Sequence, residues 1–106
     1  MRVLVKKTIL WCCEKYPMAK NPLLIWYAEF TAHRFDNMQA LKAVYRNASV
    51  INGNRVVFNI KGNDYRLVVS VNYPQQACYV VWFGPHSAYD KIDVEQITYD
   101  PKIFTK

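Results

Sequence analysis

The chain has 106 residues, room for one hydrophobic core and little space for a second lobe. With 52% hydrophobic and 15% aromatic residues it holds too much apolar surface to remain disordered, yet no run of about 18 apolar residues offers a membrane-spanning helix. The formal net charge of +6 is uneven: residues 1–66 hold eleven Lys/Arg against four Asp/Glu (+7), and residues 67–106 hold three against four (−1). The first two thirds therefore present a positive field suited to phosphate polymers or acidic proteins.

The opening stretch "MRVLVKKTILWCCEKYP" mixes lysines into its apolar residues and lacks a small-residue cleavage site. It does not read as a signal peptide, and a cytoplasmic location is expected. "RVLV" suggests a short edge strand. Residues 6–16 then place Ile9, Leu10, Cys13 and Tyr16 near helical spacing, with Pro17 as the stop. Asn21 followed by Pro22 predicts an N-cap and first helical position, opening a helix with Leu23, Trp26, Tyr27 and Phe30 on one core-facing side. "MQALKAVY" predicts a third short helix with Ala40, Leu41 and Val44 inward. Cys12, Cys13 and Cys78 are odd in number and include no CxxC, and only His33 and His86 supply imidazole. Reduced, buried thiols and no metal or other cofactor are expected.

From residue 54 the period changes from helical to alternating. Val56, Phe58 and Ile60 alternate with Arg55, Val57, Asn59 and Lys61; Tyr65, Leu67, Val69 and Val71 alternate with Arg66, Val68, Ser70 and Asn72. Gly62-Asn63 between them predicts a two-residue loop at positive φ. Its register is Ile60–Tyr65, Asn59–Arg66, Phe58–Leu67 and Val57–Val68, with Lys61 facing Asp64. One face is then dry, and the other carries Arg55, Asn59, Lys61 and Arg66. After a turn near Pro74, "ACYVVWFG" is apolar on both faces, as suits a well-covered strand, and it delivers Gly84-Pro85-His86 to the sheet's end. Asn52-Gly53 and Pro101 are further breaks. The expected fold class is α+β: one domain over 1–106, with helices on one face of a small, mainly antiparallel sheet.

His86 is the side chain best suited to moving protons near neutrality. If "HSAYD" opens a helical turn, His86 shares a face with Tyr89 and Asp90, and the carboxylate can orient the imidazole. Arg66 and Lys61, with Arg55 behind them, offer a guanidinium fork and a mobile point charge for phosphate. Each feature alone fits a solvated loop or surface. Together they are what metal-free RNA cleavage needs: a base for the 2′-OH, a cation for the phosphorane and an acid for the leaving 5′-oxygen. His33, inside a helical pattern, reads as structural. No GxSxG, HExxH or glycine-rich phosphate loop is present.

"RVVFNIKGNDYRLVVSVNY" with "GPHSAYDKID" resembles the HigB family of bacterial toxins within the RelE-like group, a likeness that extends back through "KKTILWCCEKYP", "NPLLIWY" and "ALKAVY". The resemblance implies a toxin that cleaves mRNA, typically on the translating ribosome, and a HigA-like helix-turn-helix antitoxin that binds it. Carried over by position, the matching residues are Asn59, Lys61, Gly62, Asn63, Tyr65 and Arg66, then Gly84, His86, Tyr89 and Asp90. Two departures stand out: the family's third strand carries arginine before phenylalanine, where this chain has Val81-Trp82, and its Gly-Thr-His is here Gly-Pro-His. His86 is then expected to transfer protons, Arg66 and Lys61 to hold phosphate, and Tyr89 to stack or hydrogen-bond. Arg55, Asn59, Asn63 and Asp90 bind RNA or orient these groups. The other reading is a non-catalytic RNA- or ribosome-binding module that blocks translation and leaves mRNA whole.

Overall fold

The computed structural model describes residues 1–4, 6–52 and 54–97. Val5, Gly53 and Pro101, named above for a strand and two breaks, lie outside them. The elements run β1 (Arg2–Val3), α1 (Lys6–Lys15), a 3-10 turn (Pro17–Ala19), α2 (Lys20–Ala32), α3 (Met38–Val44), β2 (Ser49–Asn52), β3 (Arg55–Ile60), β4 (Tyr65–Asn72), β5 (Ala77–Pro85) and α4 (His86–Tyr89). The strands form one sheet in the order β1-β5-β4-β3-β2, antiparallel except for β1 on β5. This is the α+β arrangement read from the sequence.

The helical faces differ from expectation in three places. In α1 the buried residues are Thr8, Ile9, Cys12 and Cys13, while Leu10 is half exposed. The stripe runs 9-12-13-16, and position 10 lies a quarter turn or so off it. Asn21 is not an N-cap. The 3-10 turn runs straight into α2, Ala19 takes the cap position with helical φ, and Pro22 falls in the first turn, where its missing N–H leaves no bond unmade. In α3, Asn37 caps Ala40 N through Oδ1 at 2.9 Å and Leu41 is buried, but Val44 faces outward at the helix end.

Leu23, Trp26 and Phe30 of α2 are buried against the sheet as the spacing requires. Trp26 stacks on Phe30 at 4.8 Å, and both meet Phe58 of β3, at 5.2 and 5.5 Å. Tyr16, at the end of α1, packs edge-on against Tyr65 and Phe83.

The β3–β4 register is the one read from the sequence, from Arg55↔Ser70 to Ile60↔Tyr65. The positive φ values fall on Lys61 (54°) and Gly62 (63°), one residue earlier than expected, and Asp64 N donates to Lys61 O at 3.2 Å. The connection is thus a four-residue loop that keeps the same pairing. The short edge strand β2, unassigned from sequence, covers β3 only as far as Val57.

Two features shape the face away from the helices. Between β4 and β5 the pairing slips: Val69 faces Val80 but Val68 faces Trp82, leaving Val81 as the extra residue of a bulge. The slip keeps Val80 and Phe83 on the helix side and turns Val81, Trp82 and Gly84 to the other. There, Val57, Val68 and Val81 are buried, packed against Ile51, Trp82, Tyr89, Val94 and Ile97. The face expected to be wet is covered over part of its area by residues 93–97.

Candidate RNA-cleaving site

The end of β5 is locked to β4. Arg66 pairs with Gly84 and Tyr65 with Pro85, and His86 N donates to Asp64 O at 2.9 Å. Pro85 stays extended (φ −62°, ψ 151°) and helical backbone begins at His86, so α4 starts beside the hairpin loop. Asp90 N closes the turn onto His86 O at 3.0 Å. The turn predicted from "HSAYD" therefore forms, and it is positioned by the sheet.

Within it, His86 Nδ1 lies 3.6 Å from Asp90 Oδ2, with both side chains more than half exposed. That is reach for orienting the ring in an open, hydrated setting. The guanidinium carbon of Arg66 sits 5.9 Å from the centre of the Tyr89 ring, at the outer range of a cation–π contact. Burial raises the Tyr89 pKa, the Arg66 cation opposes the shift and the Asp90 carboxylate adds to it. Tyr89 is therefore a neutral phenol at neutral pH, able to donate a hydrogen bond.

Arg66 is held before any ligand arrives. Its Nη1 donates to Asn63 O at 2.9 Å and Tyr65 O at 3.2 Å, and its Nη2 to Asn63 Oδ1 at 3.2 Å. Of its five donors, the others have no protein partner among the described residues. Asn59 is exposed directly across the ladder from Arg66. Lys61 Nζ lies 3.6 Å from Asp64 Oδ2 in a loose, partly exposed pair, worth at most about 1 kcal/mol. A phosphate can draw it away.

The sheet thus brings Asn59, Asn63, Arg66, His86, Tyr89 and Asp90 to one end, with Lys61 on the adjoining loop. Arg55 is elsewhere: it pairs with Ser70 further down the ladder, and its Nη1 donates to the carbonyls of Val94 (2.9 Å), Glu95 (3.3 Å) and Ile97 (2.7 Å). Its charge clamps backbone. His33 stacks on Phe35 at 5.4 Å and bonds Glu29 O at 2.7 Å through Nδ1, the structural role read for it. Sequence reasoning missed Trp82, whose ring lies 6.2 Å from that of Tyr89. A strand apolar on both faces leaves no alternation in the sequence to say which face it takes.

The three cysteines are buried free thiols; Cys12 and Cys78 are pushed up to about 12 by burial. Among the described residues no group of three or more His, Cys, Asp or Glu could hold a metal ion, and no helix is long and apolar enough to cross a membrane. A cavity of about 880 Å³ opens between α2, residues 44–48 and residues 58–63. It shares Asn59, Lys61 and Asn63 with the cluster but lacks His86, Arg66 and Tyr89.

Comparison with known proteins places the chain in a family. Residues 19–92 match the family described as HigB toxin, RelE-like toxic component of a toxin-antitoxin system. The chain is 29% identical over 92 residues to the mRNA interferase toxin HigB of Escherichia coli (strain K12), spanning 85% of this chain and 88% of the relative. The same figures hold for the mRNA interferases HigB of Escherichia coli O157:H7 and Shigella flexneri. The chain therefore belongs to the HigB toxins, the RelE-like toxic components of toxin–antitoxin systems.

Proposed function

We propose that this protein is an endoribonuclease that cleaves mRNA in the cytoplasm with side chains alone, acting on the translating ribosome. A HigA-like helix-turn-helix antitoxin neutralises it. The observation that carries this reading is the convergence of the His86 turn and the Arg66 fork at one sheet end, joined by the 2.9 Å bond from His86 N to Asp64 O and by the Arg66–Tyr89 contact. His86 moves a proton to or from the reacting oxygens. Arg66, already fixed, meets the charge that grows on the phosphorane, and Lys61 swings from Asp64 to add to it. Tyr89 donates a hydrogen bond or stacks, Asp90 orients His86, and Asn59 and Asn63 support Arg66 and the RNA backbone.

The test is His86→Ala, an exposed position whose loss leaves the core intact. Primer extension on a message from expressing cells should show cleavage with the wild type and none with the variant, which still folds and binds the antitoxin. Undiminished cleavage removes His86 from the mechanism. The second reading, translation inhibition without cleavage, draws on Pro85, which puts no hydroxyl beside His86, and on Val81, which leaves the bulge without a cation. It predicts growth arrest with full-length message throughout.

A further inference from the structure

We propose that Trp82 forms a nucleobase-stacking subsite beside the His86 turn, an inference that rests on the RNA-cleaving reading above. Register is the first argument. Trp82 faces Val68 and Gly84 faces Arg66, so alternation along β4 and β5 puts the indole on the same face as the guanidinium, with the bulge at Val81 just before it.

The bare backbone at Gly84 is the second. A Cβ there would lie 2.8 Å from Trp82 Cη2 and 2.9 Å from Cζ2, so the six-membered ring rests directly on the Gly84 backbone. Gly84 in turn is the ladder partner of Arg66. The ring thus lies over the strand segment that links the guanidinium to His86. Any larger residue at 84 would lift it away.

Geometry with Tyr89 is the third. The two rings are 6.2 Å apart and tilted by 53°, so they do not stack on one another. Trp82 is only partly buried, unlike the core indole of Trp26, which is 5% exposed. A partly exposed indole on the same face as a fixed guanidinium is a combination that holds single-stranded nucleic acid: a cation for the backbone, a ring for the bases. Its recognition is by stacking, tolerant of base identity.

The experiment titrates wild type, Trp82→Phe and Trp82→Leu with a short single-stranded RNA carrying 2′-O-methyl at every position, which cannot be cleaved by 2′-OH attack. Leucine keeps apolar contact with the valines beneath and removes the π-face; unfolding midpoints check that each variant is folded. Trp82→Leu should weaken binding about tenfold or more, with Trp82→Phe within about threefold of wild type. Cleavage should show the loss as a raised KM with kcat less affected. Leucine binding as tightly as tryptophan, phenylalanine failing as badly as leucine, or no saturable binding by wild type would each overturn the subsite. Primer extension with wild type decides the cleavage reading separately, so either idea can fail alone.

Discussion

Gly84→Ala tests the close approach of Trp82 directly, and its sign can be worked out beforehand. Carbon atoms pack at about 3.5–4.0 Å, so a methyl group at 2.8 Å from Trp82 Cη2 forces the ring to move by roughly 0.7 Å. The ring is backed by the Val57, Val68 and Val81 cluster and flanked by Tyr89, so it cannot move freely. Overpacking of this kind costs about 1–3 kcal/mol. Against it stands the usual gain of about 0.5–1 kcal/mol when glycine in a strand becomes alanine. Repulsion outweighs the gain over nearly all of that range, and the net loss should be about 0–2.5 kcal/mol, with a fall of roughly 4–8 °C in Tm per kcal/mol. In a Trp82→Leu background the obstructing ring is gone, so the same Gly84→Ala change should turn neutral or stabilising. The double-mutant cycle, measured by urea denaturation of all four proteins, should give a coupling of about 1–3 kcal/mol. Additive effects would refute the contact, and with it the role of the bare backbone in seating the indole.

Two further perturbations probe the surroundings of the site. Arg55→Ala removes the three bonds to the carbonyls of Val94, Glu95 and Ile97, at a cost of about 1–3 kcal/mol. Amide exchange at residues 93–97 should accelerate, and unchanged protection would mean that the Val94 and Ile97 contacts suffice alone. Alkaline pH should destabilise the protein: burial raises Cys12 and Cys78 from 9.0 to about 12 and Tyr45 from 10.0 to about 12. The unfolded thiols lose their protons first, so this stability is complete below about pH 9 and falls as pH rises toward 12, by at most about 1.4 kcal/mol per unit for each group. Urea midpoints followed upward from about pH 9 should drop, and Cys78→Val should flatten the slope; a flat wild-type profile would contradict the burial argument.

The parts of the fold legible in the sequence are those that local chemistry decides. The β3–β4 register follows from two alternating runs joined by a loop at Lys61–Asp64, because a one-residue slip would send Phe58 and Leu67 to the solvent side. The turn at His86 follows from Gly-Pro and helical spacing. What stayed hidden depends on partners far away in the chain. The bulge at Val81 exists only relative to β4, and a strand apolar on both faces gives no alternation to mark where it slips. Arg55 looked like an outward cation because its acceptors lie about forty residues on. Asn21-Pro22 carried a sound start signal, overridden because Pro17 had already begun a turn that led into the helix.

These differences change how the charge of the molecule should be understood. A net charge of +6 concentrated in the first two thirds suggested a broad cationic face. On the sheet, however, the cations divide. Arg55 serves the segment of residues 93–97, which lies over the valines and covers that part of the face. Arg66 is tethered to Asn63 with donors to spare, and Lys61 is held only loosely by Asp64. Of the cations on β3, β4 and the loop between them, those with donors left for a phosphate lie at the end where β5 delivers His86, on the face that carries the Trp82 indole. Charge substitutions should divide accordingly: Lys61 and Arg66 variants should lose RNA cleavage, while Arg55 variants should show first in the order of residues 93–97.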